Sequence, residues 1–169
     1  MSPPWSQPLE VDRLADGGAD VDFAVPLAEL SGLRAARAGV TGSVAGHAHF
    51  RREGDVVVAE LAIKGGATLE CQRCMQPMKW ALDTRVRIGL VGTVAQAARV
   101  PPDLEPVLAP GGRISIGELV TEELLLSLPI VPLHAGQEEC APATVLVTEP
   151  EPGLPTHKPF ARLAELLKR

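Results

Sequence analysis

From Met78 to Leu90 the chain alternates without a break. Met78, Trp80, Leu82, Thr84, Val86, Ile88 and Leu90 fall on one side, and Lys79, Ala81, Asp83, Arg85, Arg87 and Gly89 on the other. A period of two over such a length predicts a strand with one buried face. Upstream, Val57, Ala59, Leu61 and Ile63 alternate in the same way, and Val44, Ala48 and Phe50 stand opposite Ser43, His47, His49 and Arg51. The turn signals "REGD" and "KGGA" separate these runs, so the pattern predicts an antiparallel meander buried on one side.

Two stretches change to a helical period. "PLAELSGLRAARAG" places Leu27, Leu30 and Leu33 on one face, with Gly39 as a stop. "SIGELVTEELLLSLP" has a Ser115/Glu118 capping box, and Ile116, Leu119, Val120, Leu124 and Leu128 form an apolar stripe that Pro129 ends. Between meander and second helix, "VPPDLEPVLAPGGR" is too rich in proline and glycine for a regular element and reads as a loop. After Cys140, "TEPEPGLPTHKP" reads as an extended linker, with a short helix from Pro159 onward. The expected fold is α+β: an antiparallel β-meander or partly open small barrel, two or three flanking helices and a flexible C-terminal tail. It is expected to be a single domain, with an N-terminal arm and helix in 1–41, the core sheet, thiol turn and helix in 42–140, and the proline-rich linker and short helix in 141–169.

The 169 residues are 46% hydrophobic, enough for a real core. No apolar run approaches the ~18 to 20 residues of a membrane-spanning helix, and "MSPPWSQPLE" has no signal-peptide character. A cytoplasmic protein is expected, with no membrane partner. Its three cysteines are too few, and odd in number, for a secreted disulfide scaffold. The net charge of -5 hides a segregation. Residues 31–100 hold ten bases and five acids, whereas residues 101–151 hold one base and nine acids. Either these are ordinary solvated faces, or a basic sheet surface faces an anionic partner.

Two of the three thiols, Cys71 and Cys74, lie in "TLECQRCMQPMKW", in the connection entering the long strand. Cys-x-x-Cys spacing lets two sulfurs converge, for a metal or for a redox disulfide. Beyond the second helix, "LPIVPLHAGQEEC" adds His134 and Cys140, and these four residues complete the donor set of a tetrahedral Cys3His zinc site. The His-x5-Cys half is wider than a zinc finger's. A thioredoxin-like pair would open a helix, whereas this one leads into a strand. The plainest alternative is a pair that only closes a turn, with Cys140 unrelated. His47 and His49 are further candidate ligands, but beside Arg51 they read better as solvent-facing or phosphate-facing side chains.

No Walker loop, Gly-x-Ser-x-Gly, His-Glu-x-x-His or Gly-x-Gly-x-x-Gly occurs, and no enzyme or small-molecule substrate is expected. Glu118, Glu122 and Glu123 read as the solvated face of the second helix, not as acid/base machinery.

"LECQRCMQP", "ISIGELVTEELLLSLPIVPLH" with a cysteine shortly after, and "KPFARLAELLK" stand in the order seen in the YceD family of large ribosomal RNA subunit accumulation proteins. The chain resembles that family from about Gly42 to Arg169. The family pattern falls on Cys71, Gln72, Arg73, Cys74 and Pro77, on Glu122, Glu123, Leu128, Pro129, Pro132, His134 and Cys140, and on Pro159, Phe160, Leu163 and Lys168. Met75 stands where leucine is frequent and Lys158 where asparagine is frequent, and some relatives are richer in cysteine after the proline-containing segment. The resemblance implies a non-enzymatic role in synthesis, processing or stability of 23S rRNA and in large-subunit assembly.

Two readings of the partner follow. In one, Arg51, Arg52, Arg73, Lys79, Arg85 and Arg87 engage phosphates of 23S rRNA or its precursor. In the other, a zinc-stabilised protein-binding module meets a basic ribosomal protein through the acidic stretch from Asp103 to Glu151, or through Phe160 as an apolar anchor. Few aromatics are available for stacking on single-stranded RNA.

Overall fold

The computed structural model describes residues 3–36, 39–136 and 138–140. In chain order the elements are β1 (Leu9–Glu10), α1 (Val11–Asp16), β2 (Asp20–Pro26), α2 (Ser31–Ala36), β3 (Thr41–Glu53), β4 (Val56–Glu70), β5 (Pro77–Val91), α3 (Val94–Ala97), β6 (Glu105–Leu108), β7 (Arg113–Ile114) and α4 (Ile116–Ser127). The main sheet is open and runs β2-β3-β4-β5-β6, while β1 and β7 form a separate small pair. Strands β2 to β5 pair antiparallel, and β6 joins β5 in parallel. The fold is thus α+β with a meander at its centre.

Strand pairing follows from the turn chemistry. Gly54 takes a φ of 57° at the first position of the two-residue turn between β3 and β4, where a side chain would be strained. That turn sets Glu53 opposite Val56, and so His49 opposite Glu60 and His47 opposite Ala62. The inward residues expected from the alternation are buried: Val44, Ala48 and Phe50 on β3, Val57, Ala59, Leu61 and Ile63 on β4, and Leu82, Ile88 and Leu90 on β5. Trp80 and Met78 pack half-buried against the same cluster. Helix α4 closes this face with Ile116, Leu119, Val120 and Leu124. Its start is the expected capping box, in which the Glu118 amide donates to Ser115 Oγ at 3.1 Å and the Ser115 amide donates to the Glu118 carboxylate at 2.7 Å.

Four expectations need correction. "KGGA" is no turn: Gly65 and Gly66 lie inside β4, opposite Leu82 and Ala81. A Cβ on Gly65 would lie 2.3 Å from the Ser43 carbonyl, so these glycines serve close approach of neighbouring backbones. The proline-rich segment after β5 is not all loop, because β6 pairs with β5 there, and Pro106 is tolerated on an edge strand. The first helix is broken into a 3₁₀ turn, Leu27–Glu29, an extended Leu30 and the six-residue α2. Finally, Glu123 is buried rather than solvated. Its carboxylate accepts from Thr84 Oγ1 at 3.2 Å and Ser127 Oγ at 2.9 Å, which compensates the loss of water. The proline-rich linker, the terminal helix and Phe160 lie outside the described residues.

Candidate metal centre

Strand β4 ends at Glu70, and Cys71 to Gln76 turn the chain into β5. The turn is closed by two backbone bonds, from the Cys71 amide to the Gln76 carbonyl at 2.9 Å and from the Met75 amide to the Cys71 carbonyl at 2.8 Å. Met75 takes a left-handed φ of 58°, unusual for a residue with a side chain, and this redirects the chain from the thiol turn toward β5. Both thiols are buried. On the other side, Leu128 and Pro129 end α4, and the Gln72 amide donates to the Pro132 carbonyl at 2.9 Å. One backbone bond therefore registers the loop after α4 against the thiol turn, and it delivers His134 and Cys140.

The ligand atoms of Cys71, Cys74, His134 and Cys140 all lie within 4.8 Å of one another. Zinc bonded to sulfur at ~2.3 Å and to nitrogen at ~2.0 to 2.1 Å on tetrahedral corners requires S···S separations of about 3.8 Å and S···N separations of about 3.6 Å. The Cys71 and Cys140 sulfurs are 3.9 Å apart, and His134 Nδ1 is 3.5 Å from Cys74 and 3.6 Å from Cys140. The donor chemistry and these spacings fit that ion. The 3.9 Å between the Cys71 and Cys140 sulfurs is far beyond a disulfide's ~2.05 Å, and all three cysteines are free. The other ring nitrogen of His134, Nε2, donates to the Pro77 carbonyl at 3.3 Å, which leaves the Nδ1 lone pair facing the sulfurs. Nothing in the sequence pointed to that carbonyl, because backbone acceptors carry no residue signature.

Burial works against ionising Cys71, but backbone amides of His134, Cys74 and Arg73 outweigh it, bringing the thiol down to about 5. Burial raises Cys140 instead, and the neighbouring Cys74 and Cys71 sulfurs push the same way. Arg73, exposed, reaches Cys140 Sγ with Nη1 at 3.8 Å. It belongs to the surroundings of the thiol cluster, not to the sheet face.

The remaining basic candidates separate by partner. Arg51 pairs with Glu53 and Glu60, and Arg87 with Glu53, Glu60 and Asp103. Arg52 projects to the other side of the sheet and pairs with Asp12 at 2.8 Å and Asp16 at 3.0 Å on α1. Among the described residues, Lys79 and Arg85 have no ion pair. Glu53 and Glu60 were missed in the sequence, although the alternation put them on the same face as Arg51 and, once the Gly54 turn is set, within reach of it.

An open-sheet α+β fold whose thiol turn and post-helix loop meet at one end and bring a Cys3His donor set together defines a class: small α+β proteins with a candidate metal centre of three thiols and an imidazole. Comparison with known sequences supplies the particular family. The model of the large ribosomal RNA subunit accumulation protein YceD matches residues 59–167, a span that contains all four donors. Over 117 residues the chain is 33% identical to the large ribosomal RNA subunit accumulation protein YceD of Haemophilus influenzae, covering 68% of this chain and 67% of that protein. The chain belongs to the YceD family. No solved structure matches it, and no helix among the described residues is long and apolar enough to cross a membrane.

Proposed function

We propose that the protein acts in the cytoplasm as a non-enzymatic factor supporting accumulation of 23S rRNA and assembly of the large ribosomal subunit. The family it belongs to is named for that accumulation. The observation that supports the molecular part is the Cys3His spacing: four protein donors lie within 4.8 Å of one another, the number that a structural zinc site takes with no open position for chemistry. Bound zinc would fix the loop at 129–140 onto the sheet and so hold a rigid surface for a partner. The partner in this reading is 23S rRNA or its precursor, met through the outward face of the sheet.

A second reading, a module for a basic ribosomal protein, draws support from exposed Leu126, Ile130 and Val131 within the acidic part of the chain. Several acids there are already engaged: Asp103 with Arg87, Glu118 in the cap and Glu123 in the core. Purification of the native protein from growing cells tests both. Enrichment of large-subunit precursor RNA over small-subunit RNA is expected, and equal recovery of the two would overturn the proposal. Ribonuclease treatment before washing releases the large-subunit components if RNA is the direct contact, and leaves a bound ribosomal protein if it is not.

A further inference from the structure

The outward face of the sheet carries a groove of about 420 Å³, lined by His47 and His49 from β3, Glu60 and Ala62 from β4, and Arg85 and Arg87 from β5. Register sorts these residues into two rows. His49, Glu60 and Arg87 stand side by side in one, and His47, Ala62 and Arg85 in the next. The two rows differ in their charge accounting. In the first, Glu60 is taken up by Arg51 and Arg87, and His49 Nδ1 is 2.9 Å from Asp20. In the second, neither His47 nor Arg85 has an ion pair among the described residues, and the nearby Asp83 is held by Lys64 at 3.0 Å. Asp22, across from His47 on β2, is exposed, where water and salt screen its charge.

We infer that His47 and Arg85 form a clasp for one phosphate group, seated over the methyl of Ala62. Strands lie about 4.8 Å apart, so side chains on the first and third of three neighbours are rooted about 10 Å apart. That gap admits a phosphate accepting from a guanidinium on one side and an imidazole N–H on the other, with charge-assisted geometry. Ala62 is the residue between them, and its small side chain keeps the space open. A larger residue would close it. The adjacent row supplies a rigid wall, because Arg87 is tied to Glu53, Glu60 and Asp103. The clasp deepens the rRNA reading above and rests on it for the source of the phosphate, an RNA backbone.

Two arms of one experiment keep the clasp and that reading apart. In the first, inorganic phosphate is titrated into the intact protein while side-chain resonances are followed by NMR. His47 and Arg85 are expected to shift more than His49 and Arg87, and Ala62→Leu, which fills the groove without changing charge, is expected to abolish the shifts. Absence of any shift at His47 and Arg85 overturns the clasp, whatever RNA does. In the second arm, a fragment of the 23S rRNA precursor is the ligand. His47→Gln, Arg85→Gln and Ala62→Leu, each with an unchanged thermal midpoint, are expected to weaken binding on the order of tenfold. Arg85→Gln should also lower the slope of log K against log salt by roughly 0.7 to 0.9. Full affinity in all three variants overturns the clasp and leaves the rRNA reading standing. Phosphate shifts at His47 and Arg85 in a protein that binds no RNA support the clasp and overturn the RNA reading.

Discussion

His134 is held from both sides: its Nε2 proton is committed to the Pro77 carbonyl, and its Nδ1 faces two sulfurs. The imidazole is therefore oriented before any metal arrives, and fixing the tautomer favours ligation. Protein prepared under reducing conditions without chelator should contain about one equivalent of zinc, and Cys71→Ser should lose both the metal and thermal stability. Metal analysis by mass spectrometry checks the first, and a chelator titration the second. Because the Gln72 amide is bonded to the Pro132 carbonyl, metal removal should speed hydrogen exchange at Gln72 and leave the amide of Phe50, deep in the sheet, protected. Equal protection at Gln72 with and without chelator would rule out the staple. At this scale the sequence revealed which side chains carry sulfur and imidazole. Their convergence goes with the backbone bonds that close the thiol turn and with the one from Gln72 to Pro132 between the loops, none of which has a local signature.

Among the elements, α4 was the most legible because its start, stripe and stop all lie within one short segment. Its cap makes a measurable difference: Ser115→Ala removes the acceptor for the Glu118 amide at a buried helix start. A loss of roughly 0.5 to 2 kcal/mol is expected, read from urea unfolding, with zinc content unchanged. An unaltered midpoint would mean that the cap contributes nothing. The strands were harder to read where glycine and proline intervene. Gly65 and Gly66 look like a turn in one dimension, yet they continue β4 because the backbones of Ser43 and Trp80 approach them too closely for a side chain. Strand β6 forms because β5 offers it a parallel edge, a long-range event invisible to local propensity. Strand β2 did carry a signal, with Val21, Phe23 and Val25 alternating against Asp20, Asp22 and Ala24. At seven residues, β2 is too short for that alternation to stand out from its surroundings.

At the scale of the described molecule, part of the segregated charge of the sequence meets in pairs, above all around Arg51, Arg52 and Arg87. Glu53 sits between Arg51 and Arg87, joining the ends of β3 and β5, and hydrogen bonds first from Arg51 and then from Arg87 lower its pKa from the ordinary 4.5. A carboxyl whose folded pKa is depressed contributes stability that is present above the unfolded value and lost as pH falls through the folded one. Stability measured from about pH 6 to about pH 3 should therefore decline less steeply in Glu53→Gln than in the parent protein. The side chain is partly exposed, so the difference should shrink at high salt. Identical pH profiles for the two proteins would show that the network is inert.

Sequence by itself determined the sidedness of β3, β4 and β5, the cap and stripe of α4, the family and the donor inventory, since each rests on residue identity or on a period of two or 3.6. Tertiary structure decided what those residues meet. It set β4 against β5 through a turn made by the thiols, brought His134 and Cys140 to them, buried Glu123 beneath Thr84, and paired Arg51, Arg52 and Arg87 with carboxylates up to forty positions away in sequence. Periodicity reports which way a side chain faces. Only register and loop docking fix its neighbour, and charge and metal chemistry depend on the neighbour.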